Sequence, residues 1–126
     1  MPGSYRISIH EYFSSSHYLY NYYDDGSEEE FHSHLWKAEV TVTSAKLVNG
    51  MVMDFTGLRH ELKKILKDFD QGTINHAPGF GRENPSAENV ARFIAEHLQT
   101  VLPDSASLFE VKVWEGEDNS ASFLPS

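Results

Sequence analysis

Two histidines separated by a single residue, His32 and His34, are the feature of this chain whose spacing points most directly to chemistry. The residues around them, 31–43, alternate as in a β-strand, on which side chains two positions apart point the same way. Both imidazoles can therefore reach one point, as a metal ion requires, and His17, after an earlier predicted strand, could supply a third ligand. A catalytic zinc site commonly takes three protein ligands and leaves one position open. The alternative is a pair of surface or interface histidines at a polar strand end.

Several carboxylates lie where they could act beside such a metal. Glu28, Glu29 and Glu30 directly precede the histidine pair. One of them could be a general base or could orient a ligand, or the run could simply be solvated. Asp70 ends a predicted helix, where the helix dipole disfavours an anion, although aspartates there also form local turns. Glu115 closes a predicted strand and could bind the cationic or amidine-like edge of a ligand, or project into solvent.

The composition limits the class of protein. The chain has 126 residues and 14.3 kDa, which predicts one domain over 1–126. Ten Lys and Arg against 19 Asp and Glu give a net charge of −9, which argues against nucleic-acid or anionic-membrane partners. With seven histidines and no cysteine, the chain has no disulfide, thiolate nucleophile or cysteine-ligated zinc. It has neither an apolar stretch of membrane-spanning length nor a signal-peptide pattern, so we expect a soluble cytoplasmic protein.

Hydrophobic spacing and turn residues outline the elements that must position these residues. The predicted elements are, in order, strands over 5–13 and 31–43, a hairpin over 36–54 across Asn49-Gly50, a helix over 56–69, a loop over 71–85, a helix over 86–101, and paired strands over 108–114 and 120–124. Asp54 or Thr56 is expected to cap the first helix and Ser86 the second. Strands and helices are grouped rather than alternating, which predicts an α+β fold with an antiparallel sheet.

Six short segments, spread over most of the chain, occur in the order found in one known family. They are FSSSH (13–17), HSH (32–34) followed by WKAEVTV, NGMVMDFTGL (49–58), FDQGTIN (69–75), NPSAENVARFI (84–94) and VKVWEG (111–116). Together they resemble the 6-pyruvoyltetrahydropterin synthase and 6-carboxytetrahydropterin synthase family. Each segment is weakly specific by itself, and their shared order carries the resemblance.

The resemblance implies a fold and an assembly. The family has the tunnelling fold, a four-stranded antiparallel sheet with two helices on one side. Three subunits close their sheets into a barrel and two trimers stack as a hexamer. Such closure would cover the edges and the free face that a lone short sheet leaves exposed.

The resemblance also implies a site. The family's zinc ligands correspond to His17, His32 and His34, and its substrate is 7,8-dihydroneopterin triphosphate. Zinc acts there as a Lewis acid on the side-chain hydroxyls of the substrate. The glutamate that matches Glu115 would accept hydrogen bonds from the amino and ring N–H groups of the pterin.

Two departures from the family pattern concern proton transfer. The usual cysteine base before the histidine pair is missing, since this region is GSEEEF. Some relatives have a glutamate about three residues before the first histidine, where Glu29 fits and Glu28 is one step further out. Those relatives cleave the side chain to 6-hydroxymethyl-7,8-dihydropterin, a folate precursor. The usual Asp-His dyad is also altered, because Asp70 is followed by Gln71, which cannot shuttle a proton near neutral pH.

The sequence thus predicts a zinc-dependent lyase on a reduced pterin triphosphate, with Glu29 or Glu28 as base, Asp70 assisting and Glu115 as anchor. One alternative is a divergent member that binds a pterin or purine-like ligand without the reaction. Another is a non-enzymatic metal-binding oligomer. The product and its pathway, whether biopterin, folate or deazapurine (queuosine), stay open at this point.

Overall fold

Two long strands form the centre of the sheet in this computed structural model, which describes residues 3–125. The elements are β1 (Tyr5–His17), β2 (His32–Ser44), α1 (Phe55–Leu66), β3 (Gly72–Thr73), a 3-10 turn (Ile74–His76), α2 (Ala87–Leu98), β4 (Ser107–Glu115) and β5 (Asn119–Phe123). The first strand runs four residues further than the pattern predicted, so His17 is its last residue rather than a residue beyond it.

The sheet has five strands in the order β3-β1-β2-β4-β5 and is mixed, because β3 is parallel to β1 while the other neighbours are antiparallel. The expectation of four antiparallel strands was therefore wrong. After α1 the chain turns at Gln71, whose φ of 63° is left-handed, and the Gln71 N–H donates to Ser14 O at 2.6 Å. Gly72 and Thr73 then pair with β1. Two residues are too few to show a sequence pattern.

The hairpin predicted over 36–54 was also wrong. Asn49 and Gly50 do form a tight turn, with φ of 53° and 77°, but it joins only Val48 and Met51. Strand β2 already pairs with β1 along one edge and with β4 along the other. Residues 45–54 therefore have no free edge of β2 to pair with, and they leave the sheet instead.

Both helices begin at the caps that the sequence predicted. The Asp54 carboxylate accepts the Thr56 N–H at 2.8 Å, and the Ser86 hydroxyl accepts the Asn89 N–H at 3.2 Å. Helix α1 ends at Leu66, but Phe69 beyond it is fully buried, which explains why the apolar spacing continued. No helix among residues 3–125 is long and apolar enough to cross a membrane.

The core lies between the helices and one face of the sheet. Helix α1 packs on β1, and α2 packs on β4 and β5. Side chains on this face of the central strands are apolar along most of their length, including Phe13 and Trp36. At one end of the sheet the same face changes to imidazoles and a carboxylate, since β1 ends, β2 begins and β4 ends there. The antiparallel register therefore gathers polar residues from three strands beside the core.

Candidate metal centre

Three histidines and one glutamate meet at this polar end of the sheet. His17 is paired with His32 across β1 and β2, and His34 lies one inward-facing position along β2. Glu115, the last residue of β4, is paired with Trp36 of β2. One ligand atom from each of the four side chains lies within 4.8 Å of the others. We call His17, His32, His34 and Glu115 the metal cluster.

Backbone carbonyls orient two of the imidazoles. His17 Nδ1 lies 2.7 Å from Pro85 O, and His32 Nδ1 lies 2.8 Å from Glu30 O. A carbonyl only accepts, so each Nδ1 carries the proton and donates it. The two Nε2 atoms, 2.9 Å apart, then direct lone pairs at each other. Such an arrangement attracts a cation, whether a proton or a metal ion.

Glu115 adds negative charge to the same point. Its Oε1 lies 3.0 Å from His17 Nε2, and its Oε2 lies 3.6 Å from His34 Nε2. Burial opposes the charged form of His17, but hydrogen bonds to Glu115 and Pro85 and the nearby carboxylates outweigh it and raise the pKa of His17. The hydrogen bond from His17 lowers the pKa of Glu115, against the effect of burial. The carboxylate therefore stays ionised near neutral pH.

The metal cluster fits a zinc ion. Tetrahedral zinc with bonds of about 2.0–2.1 Å separates its ligand atoms by roughly 3.3–3.4 Å. The ligand atoms of the cluster lie between 2.9 Å and at most 4.8 Å apart, a range that includes that value. Imidazole nitrogen and carboxylate oxygen are also donor types that zinc accepts. The residues present could thus hold the metal without large movement of the backbone.

A network of side-chain hydrogen bonds fixes the backbone that follows His17. The Asn75 carboxamide accepts the Tyr18 N–H at 3.0 Å and donates to Tyr18 O at 2.8 Å. Asn84 makes the same pair of bonds to Tyr20, at 2.5 and 3.3 Å. Each carboxamide thus makes the two backbone hydrogen bonds that a neighbouring strand would make in a sheet. We call these two asparagines the asparagine clamp.

Glu29 is bound to the residue between the two clamped positions. Its Oε1 accepts the Leu19 N–H at 3.1 Å, and its own N–H donates to Leu19 O at 2.9 Å. The same oxygen lies 4.0 Å from His32 Nδ1. The side chains of Glu28 and Glu30 are exposed. Of the acidic run, Glu29 is the carboxylate that the fold holds beside the metal cluster.

Asp70 lies apart from the metal cluster within the chain. Its Oδ1 accepts the Ser14 N–H at 2.9 Å, so it stabilises the turn that leads into β3. It lines a cavity of about 330 Å³ beside β1, whose lining includes Lys63 and Lys67 but none of the four cluster residues. The structure therefore separates this sequence-predicted site residue from the others.

An open cleft gives access to the metal cluster. It has a volume of about 250 Å³ and is lined by His17, Glu115, Leu19, Ser86, Ala87, Glu88, Asn119, Ser120 and Ala121. A larger cavity of about 510 Å³ includes Tyr12 and Trp114 but no cluster residue. The smaller cleft is therefore the one whose lining includes groups that can react or hold a metal.

The sequence did not predict a role for three residues that position the site, namely Asn75, Asn84 and Pro85. All three lie in segments, 69–75 and 84–94, that the family resemblance had already singled out. Their contacts run over 57 to 68 residues of chain, so no local pattern could have assigned their partners.

Comparison with known proteins identifies the family. The family model for 6-pyruvoyl tetrahydropterin synthase matches residues 6–126. The dihydroneopterin monophosphate aldolase of Pyrococcus furiosus is 32% identical over 90 residues, covering 71% of this chain and 75% of that protein. The human 6-pyruvoyl tetrahydrobiopterin synthase is 32% identical over 120 residues, covering 85% of this chain and 82% of that protein.

A solved structure agrees in fold. The 6-pyruvoyl tetrahydropterin synthase of Caenorhabditis elegans superposes with a TM-score of 0.84 at 22% identity, covering 98% of this chain and 97% of that one. The match over nearly the whole chain confirms the resemblance drawn from the six segments. This chain belongs to the 6-pyruvoyl tetrahydropterin synthase family.

Proposed function

We propose that this protein is a zinc-dependent lyase that acts on 7,8-dihydroneopterin triphosphate, with His17, His32 and His34 as metal ligands. The observation that carries the proposal is the convergence of three imidazoles and Glu115, of which His17 and Glu115 line a cleft. The carboxylate of Glu29 lies 4.0 Å from His32 Nδ1 in the same cluster. Membership of a pterin-metabolising family supports the substrate class. Zinc would supply Lewis acidity to the side-chain oxygens of the substrate.

Glu115 is proposed to anchor the pterin ring. It lines the cleft, and its lowered pKa keeps it an acceptor. An ionised carboxylate can accept two parallel N–H bonds, and the amino group and ring N–H of a pterin offer such a pair. Ring recognition and metal binding would thus occur within one cleft.

Glu29 is proposed as the base that moves protons on the substrate side chain. The Leu19 N–H holds Oε1, and no hydrogen bond among residues 3–125 occupies Oε2. Oε2 is therefore the oxygen free to accept a proton, and its partner oxygen fixes its direction. These contacts favour Glu29 over Glu28, which is exposed.

Two outcomes for the side chain follow from a carboxylate base. In elimination, the base removes a proton from a side-chain carbon and triphosphate departs with the bonding electron pair. In cleavage, the base removes the proton of the C2′ hydroxyl, C2′ becomes a carbonyl and the C1′–C2′ bond breaks with its electron pair left on C1′. The C2′–C3′ fragment departs as a phosphorylated aldehyde, and protonation of C1′ yields 6-hydroxymethyl-7,8-dihydropterin. The chain has no cysteine, and its Pyrococcus relative is named an aldolase, which favours cleavage as the second candidate.

A homohexamer of two trimers is proposed as the working form. Within residues 3–125, β3 pairs only with Ser15 and Ser16, and Asp70 and Gln71 bind the Ser14 backbone, so residues 5–13 of β1 have no strand partner on that side. Strand β5 forms the opposite edge. Pairing of β1 with β5 of a neighbouring copy would close the sheets into a barrel. Asp70 is apart from the metal cluster within one chain, so it could assist the reaction only at the site of a neighbouring copy.

The decisive experiment is product analysis with zinc-loaded protein. We expect 7,8-dihydroneopterin triphosphate to be consumed with release of triphosphate or with formation of the hydroxymethyl pterin, and the monophosphate should be tested in parallel. Glu29→Gln should lower kcat by about 10²- to 10⁴-fold, because a neutral amide cannot accept the proton.

Glu28→Gln is the matched control and should retain activity. Equal losses in the two variants would reject Glu29 as the base. Tight pterin binding by the wild-type protein without turnover would support the binding-only alternative, and no pterin affinity at all would leave a metal-binding oligomer.

A further inference from the structure

We infer that Glu115 has two partners in turn: it closes the metal cluster as a fourth ligand when the cleft is empty, and it leaves the cluster to bind the ring when a pterin enters. This inference rests on the proposed function, because it concerns the order in which the same carboxylate meets the metal and the substrate.

The first argument is the direction of the carboxylate. Oε1 lies 3.0 Å from His17 Nε2 and Oε2 lies 3.6 Å from His34 Nε2, so both oxygens are in contact range of the ligand nitrogens. A carboxylate only accepts, so it meets ring nitrogens at these distances through a shared cation, either a proton or a metal ion. Its position makes the cluster a set of four donors around one point.

The second argument is how weakly the rest of the fold holds this side chain. Among residues 3–125, no backbone N–H donates to the Glu115 carboxylate, whereas Leu19 fixes that of Glu29. Glu115 is the last residue of β4, and Gly116 follows it with a left-handed φ of 76°. Its side chain is one-quarter exposed to the cleft. Rotation between staggered rotamers can therefore carry the carboxylate from the cluster towards the cleft.

The third argument is chemical. Zinc with four protein ligands is the arrangement of a structural site, whereas a catalytic site needs an open position. Ring N–H groups that bind the Glu115 carboxylate would draw it away and open that position at the moment when substrate is present. The two events would then be coupled, so ring binding would strengthen binding of a small ligand at the metal, and the reverse.

The test uses the whole 126-residue chain loaded with cobalt(II), whose visible absorption reports ligand number. Azide is titrated as the small ligand, with and without a pterin that has a methyl group in place of the side chain and so cannot reach the metal by hydroxyls. We expect Glu115→Gln to bind azide more tightly than wild type. Glu117→Gln, an exposed carboxylate two residues away, is the matched control and should behave as wild type.

The methyl pterin should raise the azide affinity of the wild-type protein roughly 5- to 150-fold, the usual range for coupled sites, and should have no such effect on Glu115→Gln. Identical azide affinities and spectra for wild type and Glu115→Gln would overturn the closed state. Methyl pterin that binds without changing the azide affinity would overturn the exchange. Absence of methyl pterin binding would instead count against the proposed function, while the comparison of the two variants would still decide the closed state.

Discussion

The orientation of single imidazole rings determines which nitrogen atoms are available to a metal. Pro85 O and Glu30 O each accept a hydrogen bond from the Nδ1–H of a histidine, so the Nε2 atoms of His17 and His32 face the same point. The tautomers are thus fixed by backbone atoms and not by other side chains. Such partners commonly change metal affinity by about 10- to 100-fold when they are lost.

Replacement of one ligand should therefore remove the metal. His32→Ala is expected to lower zinc affinity by more than about 100-fold, since a ligand contributes more than the groups that orient it. Equilibrium dialysis with metal analysis measures this directly. His60→Ala changes an exposed histidine of α1 and should keep one zinc per chain. Full zinc content in His32→Ala would remove this residue from the ligand set.

At this scale the sequence could predict that His32 and His34 point the same way, because strand alternation is a local property. It could not predict that Glu115 joins them. That contact requires β4 to pair with β2 in a register that sets Glu115 opposite Trp36, and the two residues are far apart in the chain. Asp70 is the opposite case: the sequence predicted it as a site residue, but its carboxylate accepts the Ser14 N–H and does not join the cluster.

At the scale of elements, the segment from His17 to Glu29 is held by side chains where a sheet would use strands. The asparagine clamp binds Tyr18 and Tyr20 at both N–H and C=O. Asn75 is buried and its two bonds to Tyr18 are partly shielded, so water can replace them only in part when the carboxamide is removed. The segment that carries the proposed base is therefore part of the ordered fold.

Loss of one clamp residue should destabilise the protein. Asn75→Ala leaves the Tyr18 N–H and C=O without their partners and should reduce the free energy of unfolding by about 1–3 kcal/mol. Urea denaturation of the metal-loaded chain gives the value. Gln99→Ala removes an exposed carboxamide and should change stability by less than about 0.5 kcal/mol. Equal stability of the two variants would contradict a structural role for the clamp.

The turn within the same segment predicts a pH effect. The Ser27 hydroxyl and N–H both donate to the Asp25 carboxylate, at 2.6 and 2.9 Å, and lower its pKa. Because folding lowers the pKa of Asp25, its ionised carboxylate stabilises the fold at pH values above about 3.9, the pKa of aspartate in an unfolded chain. This contribution is lost as the pH falls through the pKa of Asp25 in the folded protein. Ser27→Ala should move the pKa of Asp25 back towards its usual value in an NMR titration. An unchanged Asp25 titration in Ser27→Ala would show that the serine hydroxyl contributes little.

The helices were predictable because their caps and apolar spacing are local. The sheet was less predictable from the sequence, because its strand pairing is not local. The Asn49-Gly50 signal located a real turn, but whether that turn joins two strands of the sheet depends on which edges are free, and β2 had none. Strand β3 depends on the left-handed turn at Gln71 and on the open edge of β1.

At the scale of the whole molecule, the sheet formed by residues 3–125 has free edges, while the chain carries a net charge of −9. Like charge opposes unspecific association, so stable contacts between copies would depend on matched strand edges. The proposed barrel uses the edges of β1 and β5 in this way.

Light scattering should accordingly give a mass six times the 14.3 kDa of the chain. The hexamer should persist on dilution to low micromolar concentration, because strand pairing around a closed ring leaves no edge from which to fray. A mass equal to one chain would refute the assembly, and a mass of three chains would limit it to a single barrel.

The two hydrogen bonds between Leu19 and Glu29 hold the proposed base in place whatever the length of the loop between these residues. Both ends of the connection are fastened beside the metal cluster, and the side chains between them, residues 21–28, are all exposed. Each doubling of such a loop costs only about 0.6 kcal/mol. This connection is thus a place where insertions could accumulate, or where a label could be introduced, without displacing the chemistry.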